Sequence, residues 1–188
     1  MEFDSVDAAV DMLLLAGGML IARSGVPSLH LARSAPEFPM LVVLRLLAES
    51  HGIPLALREL AVSENKPDKI KLYSPPLATL GAVYARWYGG GGAVVPADIR
   101  PNESALAVWL ASTLAKPRHL NGHGLELAGP VLSRGAVVPV VAAWAGVGIK
   151  ARSWSVSGDY RIGLPAPAIE HLTDWLTDYI PRPVWRRV

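Results

Sequence analysis

Hydrophobic and polar positions follow two periods along this chain, one helical and one of strand type, and their order recurs. Behind Asp4 or Ser5 as N-cap, apolar residues at helical spacing (Val10, Leu13, Leu14, Gly17) predict a helix from Val6 to Gly18. Two short β-type runs follow, Met19–Arg23 and Ser28–Arg33, joined by Ser24-Gly25-Val26-Pro27. Pro36 opens a second helix that runs to about Ser50 and stops at His51-Gly52. Leu55–Ser63 and Lys69–Tyr73 predict another hairpin around residues 64–68, and Pro75-Pro76 begins a third helix reaching about Tyr88.

Gly89–Gly92 interrupts the pattern, which then starts again. A helix from Asn102 or Glu103 to about Ala115 leads into Arg118–Leu120 and Gly124–Ala128. A helix over Leu132–Ala145 precedes a hairpin of Lys150–Val156 and Tyr160–Leu164 around Ser157-Gly158-Asp159. A last helix covers Ala166–Tyr179, and Pro181 opens a basic tail. Each half thus predicts α-β-β-α-β-β-α, with Val10 and Leu106 at equivalent places 96 residues apart. The expected fold class is α+β, with halves at residues 1–92 and 93–188. Two half-sheets side by side would make one long concave surface of duplex size.

Composition narrows this further. The 188 residues are 51% hydrophobic and 18% charged, enough apolar material for a sizeable core and against disorder. Mean hydropathy is +0.30, yet the most apolar stretches, Met12–Ala22 and Val137–Ile149, are too short or too interrupted for a bilayer span, and no membrane contact is expected. The absence of cysteine excludes a disulfide scaffold and thiolate metal sites. Net charge is only +2, but its placement matters. Acids gather in predicted helices (Asp4, Asp7, Asp11; Glu170, Asp174, Asp178) and bases in predicted strands, the footprint of a nucleic-acid-binding face, although scattered basic residues also occur on many ordinary enzymes. The acidic start, MEFDSVDAAVD, resembles neither a secretory signal nor an Arg-rich transit peptide.

From Leu72 to Ser112 the residues resemble the LAGLIDADG homing endonucleases in their single-chain, two-half form. Arg86-Trp87-Tyr88, Val95-Pro96-Ala97-Asp98-Ile99 and Leu106-Ala107-Val108-Trp109 stand where that family has an aromatic helix end, a V-P-x-D-I-like segment and an L-A-x-W helix. Gly158–Pro165 and Thr177–Pro181 are similar to its last hairpin and closing helix. The resemblance implies two αββαββα halves forming a saddle-shaped antiparallel sheet with helices on the outer face. It also implies two signature helices packed at a pseudo-two-fold axis, each ending in an acid that holds Mg²⁺ against phosphate, since a hard cation takes anionic oxygen. The matching segments here are Val10–Gly18 and Leu106–Leu114. The acid positions hold Gly17 and Thr113, and neither Leu15–Leu20 nor Trp109–Lys116 contains a carboxylate. Small residues persist at Ala16 and Ser112. The expectation is a degenerate scaffold that is not an enzyme and takes no cofactor.

One parity of each strand should face the groove. The candidate nucleic-acid contacts are Arg23, His30, Arg33, Arg58, Lys69 and Lys71 in the first half. Arg118, Asn121, His123, Lys150, Arg152 and Arg161 are those of the second, and Arg182, Arg186 and Arg187 beside Trp185 those of the tail. Each could equally be a solvated surface charge. His119 and His123 are four apart, but Gly122 and Gly124 argue against a helix, so solvent- or RNA-facing histidines are expected rather than a metal site. Gly89–Gly92 lacks the Lys-Ser/Thr of a phosphate loop. Trp87, Trp109, Trp144, Trp154 and Trp175 are expected in the core.

The expected function is therefore binding of structured RNA by a monomer. Ribosomal RNA in an organellar ribosome is favoured, with neighbouring ribosomal proteins as further partners, and the mitochondrion is preferred to the plastid. The alternatives are an intron-RNA maturase, a residual DNA-binding protein or active endonuclease, and a protein-interaction module on the same fold.

Overall fold

The Ser5 hydroxyl accepts a hydrogen bond from the Ala8 amide at 3.1 Å and starts α1 (Val6–Leu15); Asn102 does the same for α4 (Glu103–Leu114), accepting from Ala105 N at 2.9 Å. These two helices are apolar nearly all round because they lie in the middle of the protein: every residue of α4 from Ala105 to Thr113 is buried, as are Met12 to Leu15 of α1. The computed structural model describes residues 3–34, 37–60, 69–115, 118–119 and 124–185. For 58–60, 69, 118–119, 170 and 185 it describes the backbone alone.

The first sheet contains β1 (Met19–Arg23), β2 (Val26–Ser34), β3 (Ala56–Leu60) and β4 (Lys69–Tyr73), all antiparallel, in the order β1-β2-β4-β3. Leu20, Leu29, Leu31 and Leu72 point from it into the core. Between β2 and β3 lies α2 (Phe38–Ser50), with Pro39 in its first turn. The second sheet repeats the plan. Its strands are β5 (Val94–Val95), β6 (Arg118–His119), β7 (Gly124–Glu126), β8 (Val131–Leu132), β9 (Arg152–Val156) and β10 (Asp159–Pro165). β10 pairs with β9 along one edge. Along the other it pairs with β7 and then β8, which are one strand interrupted at Leu127–Pro130. Taking β7 and β8 together, β6-β7/β8-β10-β9 reproduces β1-β2-β4-β3. β5 is an addition, pairing parallel to β8. α5 (Arg134–Gly146) occupies the place of α2, and α6 (Ala166–Thr177) follows β10 as α3 (Gly81–Tyr88) follows β4. The expected α+β repeat of αββαββα halves is thus present.

The differences are local and have causes. The third helix does not begin at Pro75: Ser74 N donates to Leu29 O and Leu77 N to Pro27 O, both at 2.9 Å, holding residues 74–77 extended beside β2. A 3₁₀ turn, Ala78–Leu80, then leads into α3. α5 begins two residues later than expected because the Ser133 hydroxyl caps it and Val131–Leu132 is used as strand. The basic tail begins as a short helix, α7 (Arg182–Trp185), packed on α2 and α4.

The middle of the chain is tied to the first half. Trp87 Nε1 donates to Asp11 Oδ1 at 2.7 Å, Arg86 pairs with the other oxygen of that carboxylate, and the Tyr88 hydroxyl accepts from Leu20 N at 2.9 Å.

Candidate nucleic-acid interface

Behind the two sheets, α1 and α4 meet at their C-terminal ends. Ser112 Oγ donates to the Ala16 carbonyl at 3.0 Å, joining equivalent positions of the two halves. The guanidinium of Arg33, from the end of β2, is inserted at this junction. Its Nη2 donates to the Ala16 carbonyl; Nη2 also donates to Ser112 Oγ, at 3.0 Å, and Nη1 to Ala32 O at 3.0 Å. Nε lies 3.6 Å from the Glu37 carboxylate, an ion pair too long for a hydrogen bond, and the Arg33 side chain is 12% exposed. Burial pulls the Arg33 pKa below its usual value and Glu37 opposes the shift. Arginine nevertheless stays charged. A cation there is favourable, because unpaired carbonyls at a helix C-terminus carry partial negative charge.

Gly17, one of the two expected acid positions, lies against this guanidinium. It has φ +89°, and a Cβ there would be 3.2 Å from Arg33 Nη2. Thr113, the other, is fully buried. Its hydroxyl donates to Trp109 O at 2.9 Å and accepts from Ala128 N at 3.1 Å, so it faces the break between β7 and β8. In the sheet register of the second half the place of Arg33 is taken by Leu132, and Gly129 (φ +134°), in the break between β7 and β8, is where a Cβ would stand 2.5 Å from Leu15 O. One guanidinium therefore serves both helix ends. Ala16 O and Ser112 Oγ both accept from Arg33, and the buried Glu37 carboxylate stands 3.6 Å from Nε of the same guanidinium.

The sheet faces turned away from the core carry most of the remaining candidates. In the first sheet, register puts Ser28, His30, Lys71 and Tyr73 on the face opposite Leu29, Leu31 and Leu72, and Arg23 joins them from the end of β1. His30 is set by Ser28, whose hydroxyl donates to Ile21 O at 3.2 Å and lies 2.7 Å from His30 Nε2. Burial, then Lys71 and Arg23, lowers the His30 pKa from its ordinary 6.5. Arg58 is opposite Lys71 and Lys69 opposite Ser34 in register.

In the second sheet the same face carries Glu126, Arg152, Trp154 and Arg161, with Arg118 opposite Glu126 in register. Arg161 Nη1 pairs with Glu126 Oε1 at 2.5 Å. Lys150 and Arg152 are exposed.

Three expectations about individual residues change. Arg33 does not face outward with its neighbours: on β2 it shares the parity of Leu29 and Leu31 and is buried behind the sheet. Arg182 sits on the helical side, paired with Asp174 at 2.8 Å. Trp154 is not core; it is half-buried on the outer face, opposite Arg161, whereas Trp87, Trp109 and Trp144 are buried. Asn121, His123, Arg186 and Arg187 lie outside the described residues. Among the described residues no helix is long and apolar enough to cross a membrane.

No family model matches the chain, and no curated protein matches it. Solved structures do. The homing endonuclease I-WcaI bound to its DNA recognition sequence is similar over 100% of this chain and 90% of that one, with TM-score 0.66 and 11% identity. I-DmoI in complex with DNA and Mn is similar over 93% and 98%, with TM-score 0.55 and 9% identity. The N-terminal LAGLIDADG domain of DUF199/WhiA is similar over 95% and 84%, with TM-score 0.50 and 17% identity. At such identities the likeness is one of architecture: the chain has the fold of the LAGLIDADG homing endonucleases.

Proposed function

We propose that this chain grips a nucleic-acid duplex without cutting it, and that the duplex is structured RNA. The observation that carries the proposal is the Arg33 guanidinium at the junction of α1 and α4, bonded to the Ala16 carbonyl and Ser112 and packed against Gly17. A fixed cation supplied by the protein takes the place of one borrowed from solution. It can neutralise charge, but it cannot activate a water as a metal ion does.

The binding face is the outer side of the two sheets. Arg23, Lys71, Arg152 and Lys150 supply charge for phosphates, and Trp154 an aromatic surface. A-form RNA is recognised mainly by shape and backbone, which suits such a face. Ribosomal RNA within an organelle, the mitochondrion in preference to the plastid, is the assignment we favour, with the chain acting as a monomer. Binding of a DNA duplex to the same face is the second reading, favoured by the DNA held in the I-WcaI and I-DmoI structures.

The test is a binding and cleavage assay with labelled structured RNA and a DNA duplex of equal length, in Mg²⁺ and in Mn²⁺. The expected result is a salt-sensitive RNA complex, a weaker DNA complex and no cut in either strand. Tighter binding to DNA selects the second reading, and a metal-dependent double-strand cut rejects the proposal.

A further inference from the structure

On the outer face of the first sheet is a cavity of about 300 Å³, lined by Arg23, Ser28, His30, Lys71 and Tyr73 and closed on one side by Ser74–Pro76. It has space for about ten waters, the scale of a small ligand and not of a helix. The closing wall is fixed: Ser74 Oγ accepts from Leu29 N at 2.9 Å and donates to Pro75 O at 2.7 Å, and Leu77 N is bound to Pro27 O. The rings of His30 and Tyr73 lie 6.4 Å apart, inclined by 30°. Among the described residues no carboxylate lines the cavity, and the charged groups that do are Arg23 and Lys71.

The second half does not repeat this arrangement. In the equivalent register Glu126 replaces His30 and Gly163 replaces Tyr73, which removes both rings and adds a negative charge. A contact made to a regular duplex along both half-sheets would be duplicated by the internal repeat. This arrangement is found in the first half alone.

We propose that this cavity takes one nucleotide. Its base packs flat on the Tyr73 and His30 rings against the Pro75-Pro76 wall, and its phosphate lies between Arg23 and Lys71. Aromatic faces stack on any base, and two cations without a carboxylate select a phosphate over a neutral ligand. On a nucleic acid the occupant is an unpaired nucleotide turned out of a helix, the element by which single RNA positions are commonly recognised. In that form the proposal rests on the nucleic-acid binding proposed above; a free mononucleotide offers the same chemistry.

The test has two arms. In the first, adenosine 5′-monophosphate, inorganic phosphate and adenosine are titrated separately into the protein while the His30 and Tyr73 ring protons are followed by NMR. In the second, an RNA helix with one bulged nucleotide is compared with its fully paired counterpart. We expect the monophosphate to shift both rings further than phosphate or adenosine does. We also expect the bulged RNA to bind at least about fivefold more tightly than the paired one. Tyr73→Leu should erase that preference, whereas Tyr73→Phe keeps it. Ring shifts with the monophosphate but no preference for the bulge identify a free nucleotide as the occupant. Ring shifts with no RNA binding at all retain the cavity and reject the RNA reading. RNA binding with neither ring shifts nor a bulge preference overturns the nucleotide cavity and leaves RNA binding intact.

Discussion

Arg33, at the end of a strand in the first half, donates to Ser112 at the end of the central helix of the second half at 3.0 Å. This bond, with the shared Ala16 carbonyl, joins the halves where the resemblance places metal-holding acids. Its loss should be felt in stability. Arg33→Met leaves Glu37 buried without its cation and removes the guanidinium bonds at the helix ends, and should cost on the order of 3 kcal/mol in denaturant unfolding. Arg33→Lys should recover little, because a single ammonium cannot reproduce the planar set of bonds to Ala16, Ala32 and Ser112.

Placing acids at Gly17 and Thr113 should not give cleavage. In Gly17→Asp the new carboxylate meets the Arg33 guanidinium, 3.2 Å from where its Cβ would stand, and pairs with it in preference to a metal. Thr113→Asp exchanges a satisfied hydroxyl at a fully buried position for a charge, at a cost of at least about 2 kcal/mol. The variant Gly17→Asp/Thr113→Asp/Leu114→Gly should show no Mn²⁺ binding by calorimetry and no nicking of supercoiled DNA.

Glu126 restrains Arg161 on the outer face. Glu126→Gln should free that guanidinium for a phosphate and tighten RNA binding by up to about fivefold. The dependence of affinity on salt should steepen by about one further phosphate contact. Unchanged affinity and slope would show that the second sheet is not the binding face.

His30 should report on the same face through pH. Its folded-state pKa lies below the ordinary 6.5, so the folded protein binds fewer protons than the unfolded chain between the two values. Its contribution to stability is complete above pH 6.5 and is lost as pH falls through the folded pKa. His30→Gln should flatten this part of the stability profile. Bound phosphate should raise the His30 pKa, seen as a shift of its NMR titration when RNA is added.

Much of the architecture was legible because local signals agreed with the fold. Ser5 and Asn102 are caps in sequence and in structure, and strands such as Lys69–Tyr73 carried their own period. The equivalence of Gly17 and Thr113 was also visible through the spacing of the two central helices. The role of Arg33 was not, although the signal existed: His30 and Arg33 differ in parity on one strand and cannot both face outward. Trp154 shares the parity of Arg152, which places it outside; size and apolarity alone favoured the core. The Arg182–Asp174 pair could not be anticipated, since it depends on how α7 turns back over the helical layer. Likewise β5 and β8 are two-residue strands formed by tertiary pairing, with no period to detect.

Isolating the protein from its native source, with RNA and DNA both retained, tests non-cutting RNA binding most directly. The bound nucleic acid is crosslinked, sedimented in high salt and sequenced. Intact structured RNA, crosslinked to the outer strands and sedimenting with a large ribonucleoprotein particle, is the predicted result. DNA broken at one recurrent sequence would contradict it.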